Sequence, residues 1–297
     1  MPSRREFLTT VAAALAASRA TAACAMSPLA AIASSLNGPV GLQLWSLREY
    51  LPKDLPGTLA KVRDMGFTEI EGAGLWGHGA ADFRKALDAA GLRCQSAHMG
   101  YERLRDDAAG AFAEARSMGA TWVVCPWIPH DKGFTREVTL AAVDVFNRVG
   151  AAAKAAGLRF AYHCHGYEFV PSSEGTLFDT LAGATDPQQV AIQVDVFHTY
   201  HGGADPAALI AKLGSRVTSL HLKDLKKGAP VIAGAGVGTP DIDVPVGSGQ
   251  IDMPAVLTAA RKAGAALYYV EDESATPLAN IPKSVAWLQA FKYPSAR

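Results

Sequence analysis

The run Tyr162-His163-Cys164-His165-Gly166-Tyr167-Glu168 puts two imidazoles and a carboxylate into one short stretch. Similar clusters recur downstream: Gln193-Val194-Asp195-Val196-Phe197-His198, Leu220-His221-Leu222-Lys223-Asp224 and Tyr269-Val270-Glu271-Asp272-Glu273. Glu71 and His98 precede them. Glu168, Asp195 and Glu271 together with one imidazole make a mixed nitrogen–oxygen set, suited to one divalent cation such as Mn2+, Zn2+, Co2+ or Mg2+. Carboxylates gathered in a partly dry pocket repel one another, and a divalent cation makes their burial tolerable. Each residue alone has a plainer use. Asp195 or Glu271 could cap a following helix. His163 and His165, two apart on a strand, share a face and are merely structural if that face points outward. Glu71 could pair with Lys61 or Arg63, and Asp224, Asp272 and Glu273 read as rim or capping residues. The recurrence at successive, similarly placed positions is what argues for a site. Trp45, Trp76 and Trp127 could wall a sugar ring, although tryptophan also fills cores.

These residues sit at the ends of short apolar runs that read as strands: 40–45, 69–72, 93–98, 122–126, 159–163, 191–195, 217–223 and 267–271. Amphipathic stretches at 56–65, 80–90, 102–118, 135–156, 175–184, 205–213, 253–263 and 277–291 follow them and read as helices. Gly66, Gly91, Gly119, Gly157 and Gly264 stand where helices end before the next strand, as expected of left-handed helix stops. Eight βα units in order predict a single-domain α/β protein, a (β/α)8 TIM barrel. An open doubly wound sheet is the competing fold. It usually carries a glycine-rich phosphate turn after strand one, where this chain has Trp45-Ser46-Leu47-Arg48. In a barrel, polar residues at the C-terminal strand ends belong to the active face. The glycine-rich segment 226–250, which follows strand seven, reads as a lid or substrate wall, with a disordered insertion as the alternative.

The chain has 297 residues, 49% hydrophobic and 19% charged, with formal net charge zero. That balance argues against a nucleic-acid groove. Past the N-terminus no stretch is long and apolar enough for a stable membrane span. Cys94, Cys125 and Cys164 are widely spaced in apolar runs and read as buried free thiols. Residues 1–34 read as a twin-arginine export signal and short linker, and 35–297 as the barrel. Arg4-Arg5 is followed by apolar residues, an alanine-rich run and the small-residue site Ala20-Thr21-Ala22. Cleavage is expected after Ala22, with a site near Ser35 as the alternative. Thr21 stands where a lipid-anchor motif would want leucine, which disfavours lipidation of Cys24. The reading implies passage through the twin-arginine machinery to the periplasm or beyond.

The motifs Gly41-Leu42-Gln43-Leu44-Trp45-Ser46, Tyr162 to Phe169, His221-Leu222-Lys223-Asp224, Val246-Gly247-Ser248-Gly249-Gln250-Ile251-Asp252 and Val270-Glu271-Asp272 carry a resemblance over nearly the whole barrel. In this order the chain resembles the xylose-isomerase-like TIM barrel superfamily, in its sugar phosphate isomerase/epimerase branch. The resemblance implies a cation held by Glu168, Asp195, His221 and Glu271. In the keto-sugar epimerases the strand-five acid lies on the strand itself, where this chain has His163. Either Glu168 curls back or His163 replaces it. Cys164 stands where the related motif usually has asparagine.

The resemblance implies proton transfer next to the carbonyl of a small-molecule sugar, with Glu168 and Glu271 as acid–base groups. His163, His165 and Lys223 are added candidates for proton transfer. Trp45, Glu71, His98 and His198 are expected to bind substrate. The same chemistry serves isomerisation, epimerisation, or β-elimination in a 3-keto-glycoside lyase or hydratase, an activity found among relatives. Export and the lack of an obvious phosphate-binding arginine cluster favour a keto-sugar over a sugar phosphate. Two other readings are a multi-metal hydrolase like the apurinic-endonuclease relatives of this fold, and a non-catalytic exported sugar-binding barrel.

Overall fold

The computed structural model describes Leu29, residues 36–173 and residues 175–293. The proposed export segment, including Arg4, Arg5 and Ala22, lies outside the described residues. The barrel strands are β1 (Val40–Gln43), β2 (Glu69–Gly72), β3 (Arg93–His98), β4 (Trp122–Cys125), β5 (Arg159–His163), β6 (Val190–Asp195), β7 (Val217–Leu222) and β8 (Leu267–Val270). Each pairs in parallel with its sequence neighbours, and β1 pairs with β8, which closes the barrel. Around it run α1 (Leu55–Asp64), α2 (Ala80–Ala90), α3 (Tyr101–Asp106), α4 (Ala108–Met118), α5 (Arg136–Ala155), α6 (Leu177–Ala184), α7 (Val196–His201), α8 (Pro206–Leu213), α9 (Met253–Ala263) and α10 (Pro277–Ala290). The five predicted helix-stop glycines all have positive φ. Among the described residues no helix is long and apolar enough to cross a membrane.

Two local departures from the sequence pattern have clear causes. The predicted helix 102–118 is two helices, because the Asp107 backbone leaves the helical region (φ −143°, ψ 59°) and its carboxylate caps α4 by accepting from Gly110 N at 3.0 Å. The short helix α7 begins directly after β6 because Asp195 caps it, accepting from His198 N at 2.7 Å. Both interruptions depend on one side chain capturing a backbone N–H, which periodicity does not register.

The strands turn large apolar residues outward to the helices. Phe146 of α5 packs on Phe160 and Tyr162 of β5, with ring centroids 5.5 and 4.9 Å apart. The opposite face is polar. Gln43, Glu71, Ser96, His98, His163, Gln193, Asp195, Ser219 and His221 meet inside the barrel, linked by hydrogen bonds and ion pairs between strands. Strand register places Gln43 beside Glu71, His163 beside Gln193, and Asp195 beside His221. Register shifts occur just before Glu71 and just before Gln193. A bulge re-aims the residue that follows it, and these two residues meet inside the barrel, Gln193 Nε2 donating to Glu71 at 2.8 Å.

The segment after β7 is an ordered wall rather than a disordered insertion. It starts with a short antiparallel pairing of Asp224–Leu225 with Asp243–Val244. The Asp224 carboxylate clasps both ends. One oxygen accepts from Gly247 N and Gly249 N at 2.9 Å, the other from Leu225 N at 2.9 Å and Ile251 N at 3.2 Å. A Cβ on Gly249 would lie 2.2 Å from Asp224 Oδ1, so the close approach needs glycine. The segment then lies on Gly166 and Gly202, where an added Cβ on Gly166 would meet Ala235 O at 2.0 Å. Asp224→Ala is expected to cost about 3 kcal/mol, since four N–H groups, those of Leu225 and Ile251 buried, lose their acceptor. Urea unfolding measures this. Limited proteolysis should show new cuts in 226–250, and an unchanged midpoint and cleavage pattern would count against the clasp.

Candidate active site

A cavity of about 450 Å³ opens at the C-terminal ends of the strands. Its walls include His98, Trp127, His163, His165, His198, Glu271 and Glu273, with Trp45 and Val237 at the rim. No arginine among the described residues lines it.

Beneath the cavity lies a buried network centred on Glu71. One of its oxygens accepts from Ser96 Oγ at 2.5 Å and Gln193 Nε2 at 2.8 Å. The other accepts from Gln43 Nε2 at 2.7 Å and lies 2.5 Å from His221 Nε2. Burial pushes this carboxyl up, but His98 and His221 outweigh it and hold Glu71 well below the usual range. Glu71 does not line the cavity, so its expected substrate contact is corrected: it stands behind His221 and orients it. It pairs with neither Lys61 nor Arg63, whose guanidinium donates to the Phe67 carbonyl.

Gln193 fixes the tautomer of His163. Its Nε2 donates to Glu71 and to Ser219 Oγ at 3.0 Å, so its Oε1 is left to accept. His163 Nδ1 lies 2.9 Å from that oxygen and His98 Nε2 3.0 Å. His163 therefore carries its proton on Nδ1 and keeps a lone pair on Nε2, which lies 3.9 Å from Asp195 Oδ2. Burial and the neighbouring histidines push His163 well below its ordinary pKa, so it is neutral.

Asp195 does two jobs with two oxygens. Oδ1 caps α7, while the buried Oδ2 has no hydrogen-bond partner. That orphaned oxygen lies 3.7 Å from His221 Nδ1, which is itself 2.9 Å from Glu271 Oε2. One ligand atom each from Asp195, His221 and Glu271 lie within 4.8 Å of one another, as do ring nitrogens of His98, His163 and His221. Burial pushes His221 down, but Glu271 and Glu71 outweigh it and raise it to about 10.

Lys223 is buried and protonated, because Glu271, Glu273 and Asp195 outweigh the burial that pushes it down. Its ammonium donates to Glu273 and lies 3.3 Å from both Glu271 Oε2 and His198 Nε2. Glu273, read from sequence as a rim or capping residue, belongs to the cavity wall and also accepts from Trp45 Nε1 at 3.0 Å. Asp272 does cap locally, accepting from Ser274 N at 3.0 Å. The rings of His165 and His198 stack at 4.5 Å, and the Nδ1 of each is buried without a partner. Burial and His198 push His165 well below its ordinary pKa. Trp45 lies at the exposed rim, its ring 5.8 Å from that of Trp76.

Glu168 is not brought to this group. It turns to the outer side of β5, where it accepts from the Tyr162 hydroxyl and from His165 N at 2.9 and 3.1 Å. The strand-five residue beside Asp195 is His163. The reason is geometric: Tyr162 and His163 alternate across the strand, and Glu168 bonds to the outward one. Burial pushes the Glu168 carboxyl up from 4.5 to about 7. The folded state then holds this proton more tightly than the unfolded chain, so stability falls as pH rises from about 4.5 through 7. Glu168→Gln should flatten that fall, as read from urea midpoints at pH 5 and pH 8; an unaltered slope would contradict the assignment. Gln43 and Gln193 lie inside sequence motifs yet gain no role from them, and Ser96 and Ser219 stand in none, because a neutral polar residue in a strand signals no chemistry by its type. Only their alternation with apolar neighbours hinted at an inward face.

The chain matches the xylose isomerase-like TIM barrel family over residues 59–291 and belongs to it. A curated relative, inosose dehydratase of Geobacillus kaustophilus, is 25% identical over 204 residues, covering 58% of this chain and 66% of the relative, just under two thirds of its length. A sugar phosphate isomerase/epimerase of Parabacteroides distasonis superposes with a TM-score of 0.70 at 24% identity, covering 85% of this chain and 96% of the other. The IolI protein, solved with a bound zinc atom, superposes with a TM-score of 0.68 at 17% identity over 86% and 99% of the two chains.

Proposed function

We propose that this protein is a divalent-metal-dependent enzyme that transfers a proton next to the carbonyl of a keto-sugar, as an isomerase or epimerase. The observation that carries the reading is the orphaned Asp195 Oδ2, buried beside His221 Nδ1, Glu271 Oε2 and the free lone pair of His163. Asp195, His221 and Glu271 are gathered closely enough to hold one cation, and His163 Nε2, 3.9 Å from Asp195 Oδ2, is the strand-five candidate to complete the set instead of Glu168. Glu71 accepting from His221 Nε2 would complete a carboxylate–histidine pair that fixes the ligand tautomer. The cation, when bound, supplies a Lewis acid that polarises a sugar carbonyl and makes the neighbouring C–H acidic.

The chain's own groups do the rest. Glu271 faces the cavity and can take or return the proton. His98, His165 and His198 line the same wall and give it a polar face for sugar hydroxyls. Trp45 and Trp127 give the ring an apolar face. Lys223, held by Glu273, supplies an acid beside the carboxylates. That last feature favours a second reading, loss of a β-substituent by elimination, and similarity to an inosose dehydratase supports it. Metal-loaded protein incubated with keto-sugars and inososes in D2O should incorporate deuterium beside the carbonyl. Isomer or epimer products support the first reading and an enone product the second. Bound sugar with no exchange in any panel member would favour a non-catalytic binding barrel.

Export is part of the proposal and rests on the Arg4-Arg5 segment. Changing Arg4→Lys together with Arg5→Lys should leave the protein in the cytoplasm, as fractionation would report. Unchanged export would overturn it.

A further inference from the structure

Glu168 lies outside the cation group, yet it is 0% exposed and fully hydrogen-bonded. Its bonds lead somewhere definite. With Glu168 ionised, the Tyr162 hydroxyl donates to it. Tyr162 has only one proton to give, so the Tyr167 hydroxyl, 2.9 Å away, donates to Tyr162. Tyr167 in turn accepts from Ile128 N at 3.0 Å. The chain of donors runs one way, from the loop after β4 to the loop after β5, and ends on the carboxylate.

Both of those loops line the cavity, the β4 loop with Pro126 as well as its large aromatic residue. The β4 loop sends Trp127, next to Ile128, and the β5 loop sends His165, whose backbone N–H Glu168 holds with both oxygens. The two rings meet edge to face at 5.0 Å, and Tyr167 packs against both, 4.7 Å from Trp127 and 5.5 Å from His165. The buried, unpartnered His165 Nδ1 belongs to a residue of the cavity wall, so small shifts of this loop move a hydrogen-bonding group.

We infer that Glu168 is a positioning residue: through His165 N and the Tyr162–Tyr167 hydroxyl chain it locks His165 and Trp127 into one substrate-binding wall, and it does not hold the cation. The substrate part of this inference rests on the proposed function; the cation part and the wall geometry do not.

The test uses full-length Mn2+-loaded protein at pH 8, comparing the parent with Glu168→Ala, Glu168→Gln and Tyr162→Phe. Three readouts are taken: metal content by elemental analysis, KM and kcat on the best substrate of the exchange panel, and histidine side-chain 15N shifts by NMR. All variants should keep the parent's metal content. Glu168→Ala should move the His165 ring signals and raise KM about tenfold with a smaller change in kcat, and Glu168→Gln, which keeps an acceptor for His165 N, should restore most of the loss. Tyr162→Phe removes one hydroxyl and should give a milder version of the same pattern, and it carries the test if Glu168→Ala fails to fold. Loss of metal in Glu168→Gln would overturn the inference by making Glu168 a ligand. Unmoved His165 signals in Glu168→Ala, or in Tyr162→Phe where only that variant folds, would overturn it as well. If the parent turns over no panel member, the proposed function fails, while metal content and His165 signals still decide the role of Glu168.

Discussion

Replacing His221 by alanine, or Glu271 by glutamine, is expected to remove bound divalent metal from the purified protein and to lower deuterium exchange by about 10³-fold or more. The two residues stand together in the tightest part of the cluster, with His221 Nδ1 at 2.9 Å from Glu271 Oε2 and the orphaned Asp195 Oδ2 at 3.7 Å from the same nitrogen. Losing either ligand leaves an incomplete donor set in a buried pocket, and the surviving carboxylates then face each other with less compensation. Elemental analysis and exchange measured on one preparation make the comparison. Parent-like metal content in both variants would mean that the cation sits elsewhere. His163→Ala probes the fourth position by the same measurement: weakened metal binding there, with full binding in Glu168→Gln, would distinguish the two strand-five candidates.

The second large effect is expected at Glu71, well below the cavity. Its carboxylate receives Gln43 Nε2, Ser96 Oγ, Gln193 Nε2 and His221 Nε2, and every one of these partners is a donor. Glu71→Ala leaves those donors unsatisfied and removes one of the carboxylates that hold the His221 charge. Breaking a buried pair of this kind costs about 3–5 kcal/mol. Glu71→Gln is not a mild change either, because an amide nitrogen would point a donor at other donors. Both variants are expected to lose roughly 6–12 °C or more in Tm, taking about 3 kcal/mol and a barrel of this size. Metal affinity should also fall, by about 10–100-fold, since the partner of the His221 ring is gone. Thermal unfolding in chelator, followed by metal titration, separates the two effects. A Tm within two or three degrees of the parent, roughly 1 kcal/mol, would show that the network is dispensable.

Asp195 and Glu168 show where sequence patterns stop. Asp195 ends its strand while Glu168 comes five residues after His163, and that spacing left open whether Glu168 curls back or His163 takes its place. In three dimensions Asp195 divides its oxygens between a helix cap and the cluster with His221 and Glu271, while Glu168 faces away into a pair of tyrosines. The decision rests on strand alternation and on where the chain turns after β5. Glu273 was misread for a related reason: it lies past the strand, and only Lys223 and Trp45, each distant in sequence, draw it into the cavity.

The family resemblance picked out His221 to join Asp195 and Glu271; the sequence by itself determined the barrel, its order of strands and helices, and the strand ends where its polar residues gather. These follow from hydrophobic periodicity and from polar residues recurring at strand ends, which are local signals repeated eight times along the chain. Tertiary structure alone decided the place of Glu168, the substitution of His163 for it beside Asp195, the polar hub of Glu71 and Gln193, and the clasp by which Asp224 closes the long wall segment. Each of these depends on which of two faces or oxygens a side chain presents to partners far off in sequence, Gln193 to Glu71 across 122 residues and His221 to Glu71 across 150. Barrel closure brings such pairs into contact, and no local pattern encodes them.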